Sequence, residues 1–160
     1  MKKLALLCLL IVPLLGATPQ GTAPEGFQHW TSASLERMNQ ELHAKVAANP
    51  NQAATQQLSD FPNELFLLAH READGQVEWH ENQADIFFVQ SGSATLVVGG
   101  TQVGGETASP HEKRGGSIQG GTREKLSAGD VVHIPAKMPH QLLMDGSHGF
   151  TYFVVKVKGY

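Results

Sequence analysis

After Phe61-Pro62-Asn63 the chain is written in short apolar runs separated by turn residues. Residues 64–71, 77–81, 86–90, 94–98, 131–134, 140–144 and 150–156 are each rich in Val, Ile, Leu or Phe. Gly, Pro, Asn or Asp bounds every one of them, as expected of strands between turns. Many short strands with little helix among them predict an all-β sandwich or barrel. Upstream the period changes. Across residues 30–48, Leu35, Met38, Leu42 and Val46 recur at three- and four-residue steps, the stripe of an amphipathic helix. Ser32 or Ser34 can cap its start and Asn49-Pro50 ends it. Residues 51–58 are polar and are expected to form a short second helix.

Residues 99–121 break the strand grammar. Four glycine pairs (99–100, 104–105, 115–116 and 120–121) alternate with Ser, Thr, Pro and charged residues. A glycine-rich stretch can cradle phosphate when a helix follows it, but here strand-like sequence follows. A long hairpin or barrel-rim loop is the expected form.

With 160 residues, 41% of them hydrophobic and 17% charged, the composition is that of one ordinary globular domain. The first residues have the form of an export signal: Lys2-Lys3, an apolar run over residues 4–15, then Gly16-Ala17 and a polar, Pro-containing stretch. The run is too short to persist as a membrane-spanning helix. The expected organisation is a signal peptide over residues 1–20, with cleavage between 17 and 23. A helical extension over 21–62 and a barrel domain over 63–160 follow. The expected location is the periplasm or outside the cell, with no stable membrane span after cleavage.

Cys8 is the only cysteine and lies within that signal, so the remainder has no thiol for disulfides, nucleophilic catalysis or zinc thiolates. The net charge of −3 becomes −5 without Lys2 and Lys3, ten basic residues standing against fifteen acidic ones. With no basic stripe to neutralise phosphates, nucleic acid is excluded as a partner.

Two stretches carry candidate chemistry. The first runs Gly75-Gln-Val-Glu78-Trp-His80-Glu81-Asn82-Gln-Ala-Asp85-Ile-Phe-Phe-Val-Gln-Ser-Gly92. The second runs Gly129-Asp-Val-Val-His133-Ile-Pro135-Ala-Lys137-Met-Pro139-His140-Gln141. Strand side chains two apart share a face, so Glu78, His80 and Asn82 point one way. A turn near Asn82-Gln83 lets the next strand bring Asp85 opposite His80, and His140 can complete the group from a facing strand. Two imidazoles and a carboxylate with open positions suit Fe(II), Mn(II) or zinc. Phe87, Val89, Leu142 and Met144 share faces with Asp85 or His140 and would line an apolar pocket, while Gln141 points away. His29, His43, His111, His133 and His148 are assigned no chemistry.

These stretches resemble the two motifs of the cupin superfamily. The first family motif is Gly, five residues, His-x-His, three or four residues, Glu, six residues, Gly. The second is Gly, five residues, Pro-x-Gly, two residues, His, three residues, Asn. Here Asp85 precedes Gly92 at the family's six-residue step, and Gly129, Pro135 and His140 keep the second motif's spacing. The resemblance spans residues 66–157. Asn82 stands for the second family His if His80 is the first; Glu78 stands for the first if His80 is the second. Both registrations put Asp85 in place of Glu, and Lys137 and Met144 replace the second motif's Gly and Asn.

The resemblance implies a double-stranded β-helix (jelly-roll) barrel holding a divalent transition metal, Fe, Mn, Ni or Zn. Its ligands would be His80, Asp85 and His140, with Asn82 or Glu78 as the fourth. It also implies a small-molecule ligand or substrate, and either a metal-dependent enzyme of oxygenase or isomerase type or a non-catalytic binding module. Glu78 or Glu81 is the nearby candidate base. Edge strands of such barrels can pair between subunits, so a homodimer is compatible with this architecture.

Overall fold

The computed structural model describes residues 22–146 and 149–160. The expected signal peptide over residues 1–20 lies outside the described residues, and so does His148. Among the described residues one helix, α1 (Ser32–Val46), is followed by β1 (Ala53–Asp60), β2 (Glu64–Arg71), β3 (Glu78–His80) and the long β4 (Gln83–Val98). Then come β5 (Thr101–Val103), β6 (Glu106–Ser109), β7 (Glu112–Arg114), β8 (Ser117–Gln119) and β9 (Thr122–Ser127). The last strands are β10 (Val131–Ile134), β11 (His140–Leu143) and β12 (Phe150–Lys158). No described helix is long and apolar enough to cross a membrane.

One strand organises the barrel. The first half of β4 pairs with β12 and β10, and its second half pairs with β9 and β11. The sequence suggested a turn between residues 90 and 94, but the chain bends there without leaving the sheet. Gly92 sits at that corner with φ +78°, and a Cβ on it would lie 1.9 Å from the Gly149 carbonyl oxygen. Only glycine fits both the dihedral and the close approach. Around this corner two antiparallel layers curl over one core of Phe87, Leu96, Ile134, Leu142, Phe150 and Val154, all nearly fully buried. Each large side chain in such a core contributes roughly 1.5–3 kcal/mol.

The helix packs outside the barrel wall. Thr31 caps it, accepting from the Ser34 amide at 3.1 Å. The cap is therefore one residue before the expected Ser32, and Ser34 is its partner. Leu42 and Val46 are fully buried, and Asn39 accepts a hydrogen bond from Thr151 of β12. The expected second helix is instead strand β1, antiparallel to β2 from Ala53↔Arg71 to Asp60↔Leu65. An edge strand buries only part of one face, so its side chains need not be apolar, and pairing with β2 overrides the missing pattern. The helical part of the N-terminal extension accordingly ends at Val46.

The glycine-rich segment is a long hairpin, as the sequence suggested. Strands β5 and β8 pair at its base, and β6 and β7 pair beyond. The glycine pairs face each other across it: a Cβ on Gly100 would sit 2.4 Å from the Gln119 carbonyl, and one on Gly116 would sit 2.3 Å from that of Val103. These two crossings let the hairpin fold back, so that β7 lies beside β3 in the register Glu78↔Arg114 and His80↔Glu112.

Candidate metal centre

Glu78, His80, Asp85 and His140 come together, each offering one ligand atom, and these atoms lie within 4.8 Å of one another. Three separate pieces of backbone deliver them. Strand β3 contributes Glu78 and His80, which share a face; β4 contributes Asp85; and the first residue of β11 contributes His140. His80, Asp85 and His140 are each about 2% exposed, while Glu78 is half-buried at the rim.

The spacings suit one ion. Ligand atoms held about 2.1 Å from a common ion at tetrahedral or octahedral angles lie roughly 3.0–3.5 Å apart. His80 Nε2 is 3.4 Å from Asp85 Oδ2 and 3.5 Å from Glu78 Oε2, and His140 Nε2 is 3.6 Å from Asp85 Oδ2. Both imidazoles are also oriented from behind. His140 Nδ1 donates to the Met138 carbonyl at 3.0 Å, leaving its Nε2 buried with no hydrogen-bond partner. His80 Nδ1 donates to Glu112 Oε2 at 2.5 Å. A metal-binding histidine commonly donates its second N–H to a carbonyl or carboxylate, which fixes the ring and frees the other nitrogen.

The electrostatics of the group are dense. Burial disfavours the charge on Glu78, but the hydrogen bond with His80 and the Arg114 guanidinium, 2.5 Å away, hold its pKa down at about 2. Burial also disfavours a charged His80, yet hydrogen bonds with Asp85 and Glu78 push its pKa up to about 9, with Lys156 opposing. Burial would raise Asp85, but the adjacent His140 and His80 rings and the Lys156 charge hold it far below the usual carboxylate range instead.

Asn82 lies past the end of β3, where its backbone carbonyl accepts from the Gly159 and Tyr160 amides. It lines a separate surface cleft with His111 and Lys158, and the fourth place in the cluster goes to Glu78. Glu81, named as a rival base, is exposed and bonded to His111 at 2.6 Å, on the outer surface. His133 is exposed on β10.

The sequence reading missed Lys156, Glu112, Arg114 and Arg71. Lys156 Nζ lies 2.8 and 2.9 Å from the Asp85 carboxylate oxygens and 3.1 Å from His80 Nε2. One signal was available for it: the alternation Phe150, Tyr152, Val154 places Lys156 on the inner face of β12. Another was the pattern Glu112-x-Arg114, complementary to Glu78-x-His80 when the two run antiparallel. A cavity of about 310 Å³ opens beside the cluster. Leu67, Phe87, Leu142 and Val154 form its apolar wall, and Arg71 and Arg114 line it as well. Phe87 and Leu142 were expected there. Val89 and Met144 belong to the surrounding core, and Gln141, expected to point away, reaches the cavity and donates to the Gly75 carbonyl.

No protein-family model and no curated protein matches the chain in sequence. Solved structures do match in shape. An uncharacterised conserved protein with a double-stranded β-helix domain from Klebsiella pneumoniae aligns with TM-score 0.52 and 16% identity, over 69% of this chain and 76% of that one. The cupin domain of Schizosaccharomyces pombe Cnp3 aligns with TM-score 0.51 and 11% identity, over 67% of this chain and 65% of that one. KdgF from Halomonas aligns with TM-score 0.50 and 14% identity, over 69% and 82%. At such identities the likeness shows the fold, a cupin-type double-stranded β-helix barrel.

Proposed function

We propose that this cupin-type barrel binds a divalent transition metal through Glu78, His80, Asp85 and His140, and presents it to a small molecule in the adjoining cavity. The observation that carries the assignment is the His140 ring: its Nδ1 is committed to a backbone carbonyl, and its Nε2 is buried, unpartnered and aimed at Asp85. A ring held that way in a close-packed core is arranged to give its lone pair to something. Two imidazoles and two carboxylates suit Fe(II), Mn(II), Ni(II) or Zn(II). Arg71 and Arg114 on the cavity wall favour a ligand that carries an acid group.

The geometry of the bound ion would separate the two functional classes. An ion that takes six ligands keeps two positions for substrate after these four side chains, as an oxygenase or isomerase requires. In that case the metal would polarise a bound oxygen atom of the substrate. Tetrahedral zinc would be saturated by four protein ligands, which describes a closed, non-catalytic site. The non-catalytic class is favoured by one observation, the Lys156 ammonium lying against the ligand atoms. In the same proposal the chain is exported, on the strength of Lys2-Lys3 and the apolar run after them.

The test is metal content. Protein purified without chelators and loaded with each ion in turn is expected to hold one ion per chain. His80→Ala and His140→Ala should each hold it far more weakly. A folded wild type that takes up none of the four ions refutes the assignment. Oxygen-uptake and isomerisation assays on small organic acids then distinguish enzyme from binder.

A further inference from the structure

We propose that Lys156 is a resident cation, whose ammonium fills the ligand cluster when no ion is bound and has to swing out for an ion to enter. The proposal rests on the metal assignment above and adds a residue that the assignment does not need. Register puts Lys156 in place: on the antiparallel β4–β12 pair its Cα is directly opposite that of Asp85. From there its side chain runs inward, only 12% exposed, and the nitrogen reaches both Asp85 oxygens and His80 Nε2 at 2.8, 2.9 and 3.1 Å.

Those three atoms include the donors an ion would use. An ion about 2.1 Å from Asp85 and His80 would overlap the volume that the ammonium now occupies. Occupancy by the metal and by Lys156 is therefore mutually exclusive. The lysine has somewhere to go: it lines the 310 Å³ cavity itself, and its flexible four-carbon stem can turn there without moving the backbone.

The arrangement also has a structural use. Asp85 is buried and charged, and a buried carboxylate without a counter-charge is costly. Lys156 supplies that charge, so the barrel can fold before it meets an ion, unlike small domains that need their metal to fold. The consequence is weaker apparent affinity, since each ion must displace an ion pair already formed.

The direct test compares wild type, Lys156→Met and the control Lys158→Met in competition with a chromophoric chelator for Zn(II) and for Ni(II). Lys158 lies two residues on and pairs with Asp60 at the surface. Lys156→Met is expected to bind at least tenfold tighter than wild type, Lys158→Met to match wild type, and metal-free Lys156→Met to melt at lower temperature. Equal or weaker binding by Lys156→Met leaves the metal assignment standing and overturns the resident cation. Failure of wild type and variant alike to bind these two ions, and Fe(II) and Mn(II) as well, overturns both. Should Lys156→Met not fold, wild type alone decides. Acetylation of Lys156 by an amine-reactive ester, followed by mass spectrometry, should accelerate at least fivefold when Zn(II) or Ni(II) is added. An unchanged rate refutes the displacement.

Discussion

His80 and His140 have ring centroids 5.2 Å apart in one site, yet their surroundings hold them by opposite means. His140 is set by backbone: Lys137 at φ +65°, Pro139 after it, and the Met138 carbonyl two residues before the ring. His80 is set by side chains from far along the chain, above all Glu112, which is 32 residues away and arrives on the folded-back hairpin. The contrast shows two ways of aiming a ligand. A turn aims it through local dihedrals and leaves a compact sequence signature. A hairpin aims it through long-range pairing, and its signature is scattered among ordinary charged residues.

Asp85 touches both halves, so its loss should have the largest effect. Asp85→Ala removes the counter-charge of Lys156 and the carboxylate that lies against both rings, all within a buried cluster. Breaking a buried pair this way typically costs about 3–5 kcal/mol. Urea denaturation of the metal-free variant should show a loss of that size, with metal binding abolished; a loss under 1 kcal/mol would mean that the cluster does not join the two halves.

Titration separates them next. The folded pKa of His80, about 9, exceeds its ordinary 6.5, so the stability its charge contributes is fully present below pH 6.5 and is lost as pH rises through 9. Glu78, at about 2 against an ordinary 4.5, contributes above pH 4.5 and loses its contribution as pH falls through 2. Metal-free protein should therefore be flattest in stability between pH 4.5 and 6.5, and should weaken by about 2–3 kcal/mol between pH 6.5 and 9.5. The alkaline fall should disappear in His80→Gln and persist in His140→Gln. A fall that survives His80→Gln assigns it to another group.

The hairpin's own contribution is tested by Glu112→Gln, which keeps shape and removes charge. Partners behind a metal-binding histidine commonly carry ten- to hundredfold in affinity, and a loss in that range is expected in a metal-competition assay. Unchanged affinity would mean that β3 alone orients His80. The matching partner of His140 is a backbone carbonyl, which no side-chain substitution removes. The smallest effect belongs to the turn: Lys137 holds a left-handed dihedral where the resembled motif has glycine, and Lys137→Gly should stabilise by about 0.5–1 kcal/mol in thermal melts. Destabilisation would show that the Lys137 side chain does more than tolerate the turn.

The same contrast explains what could be read from sequence. Strands β2 and β10 and the start of β12 follow from their apolar runs, and α1 from its stripe, because burial on one face dictates those patterns. His80 and Asp85 are found together because a two-residue turn joins their strands, and His140 because the spacing from Gly129 through Pro135 marks it. Lys156 and Arg114 reach the site only through the pairing of β12 with β4 and of β7 with β3. No local period encodes those registers. Strand β1 escaped for a related reason: an edge with polar side chains carries little pattern of its own. Asn82 and Glu78 part because β3 ends at His80: Glu78 stands in the cluster with His80, and Asn82 lines the outer cleft.

X-ray absorption at the metal edge of protein loaded with Ni(II) or Zn(II) tests the central claim most directly. Two imidazoles and two carboxylate oxygens at about 2.0–2.2 Å are expected, with one imidazole lost in His80→Ala and one in His140→Ala. A loaded protein whose spectrum shows no imidazole, or keeps both in either variant, would contradict the account.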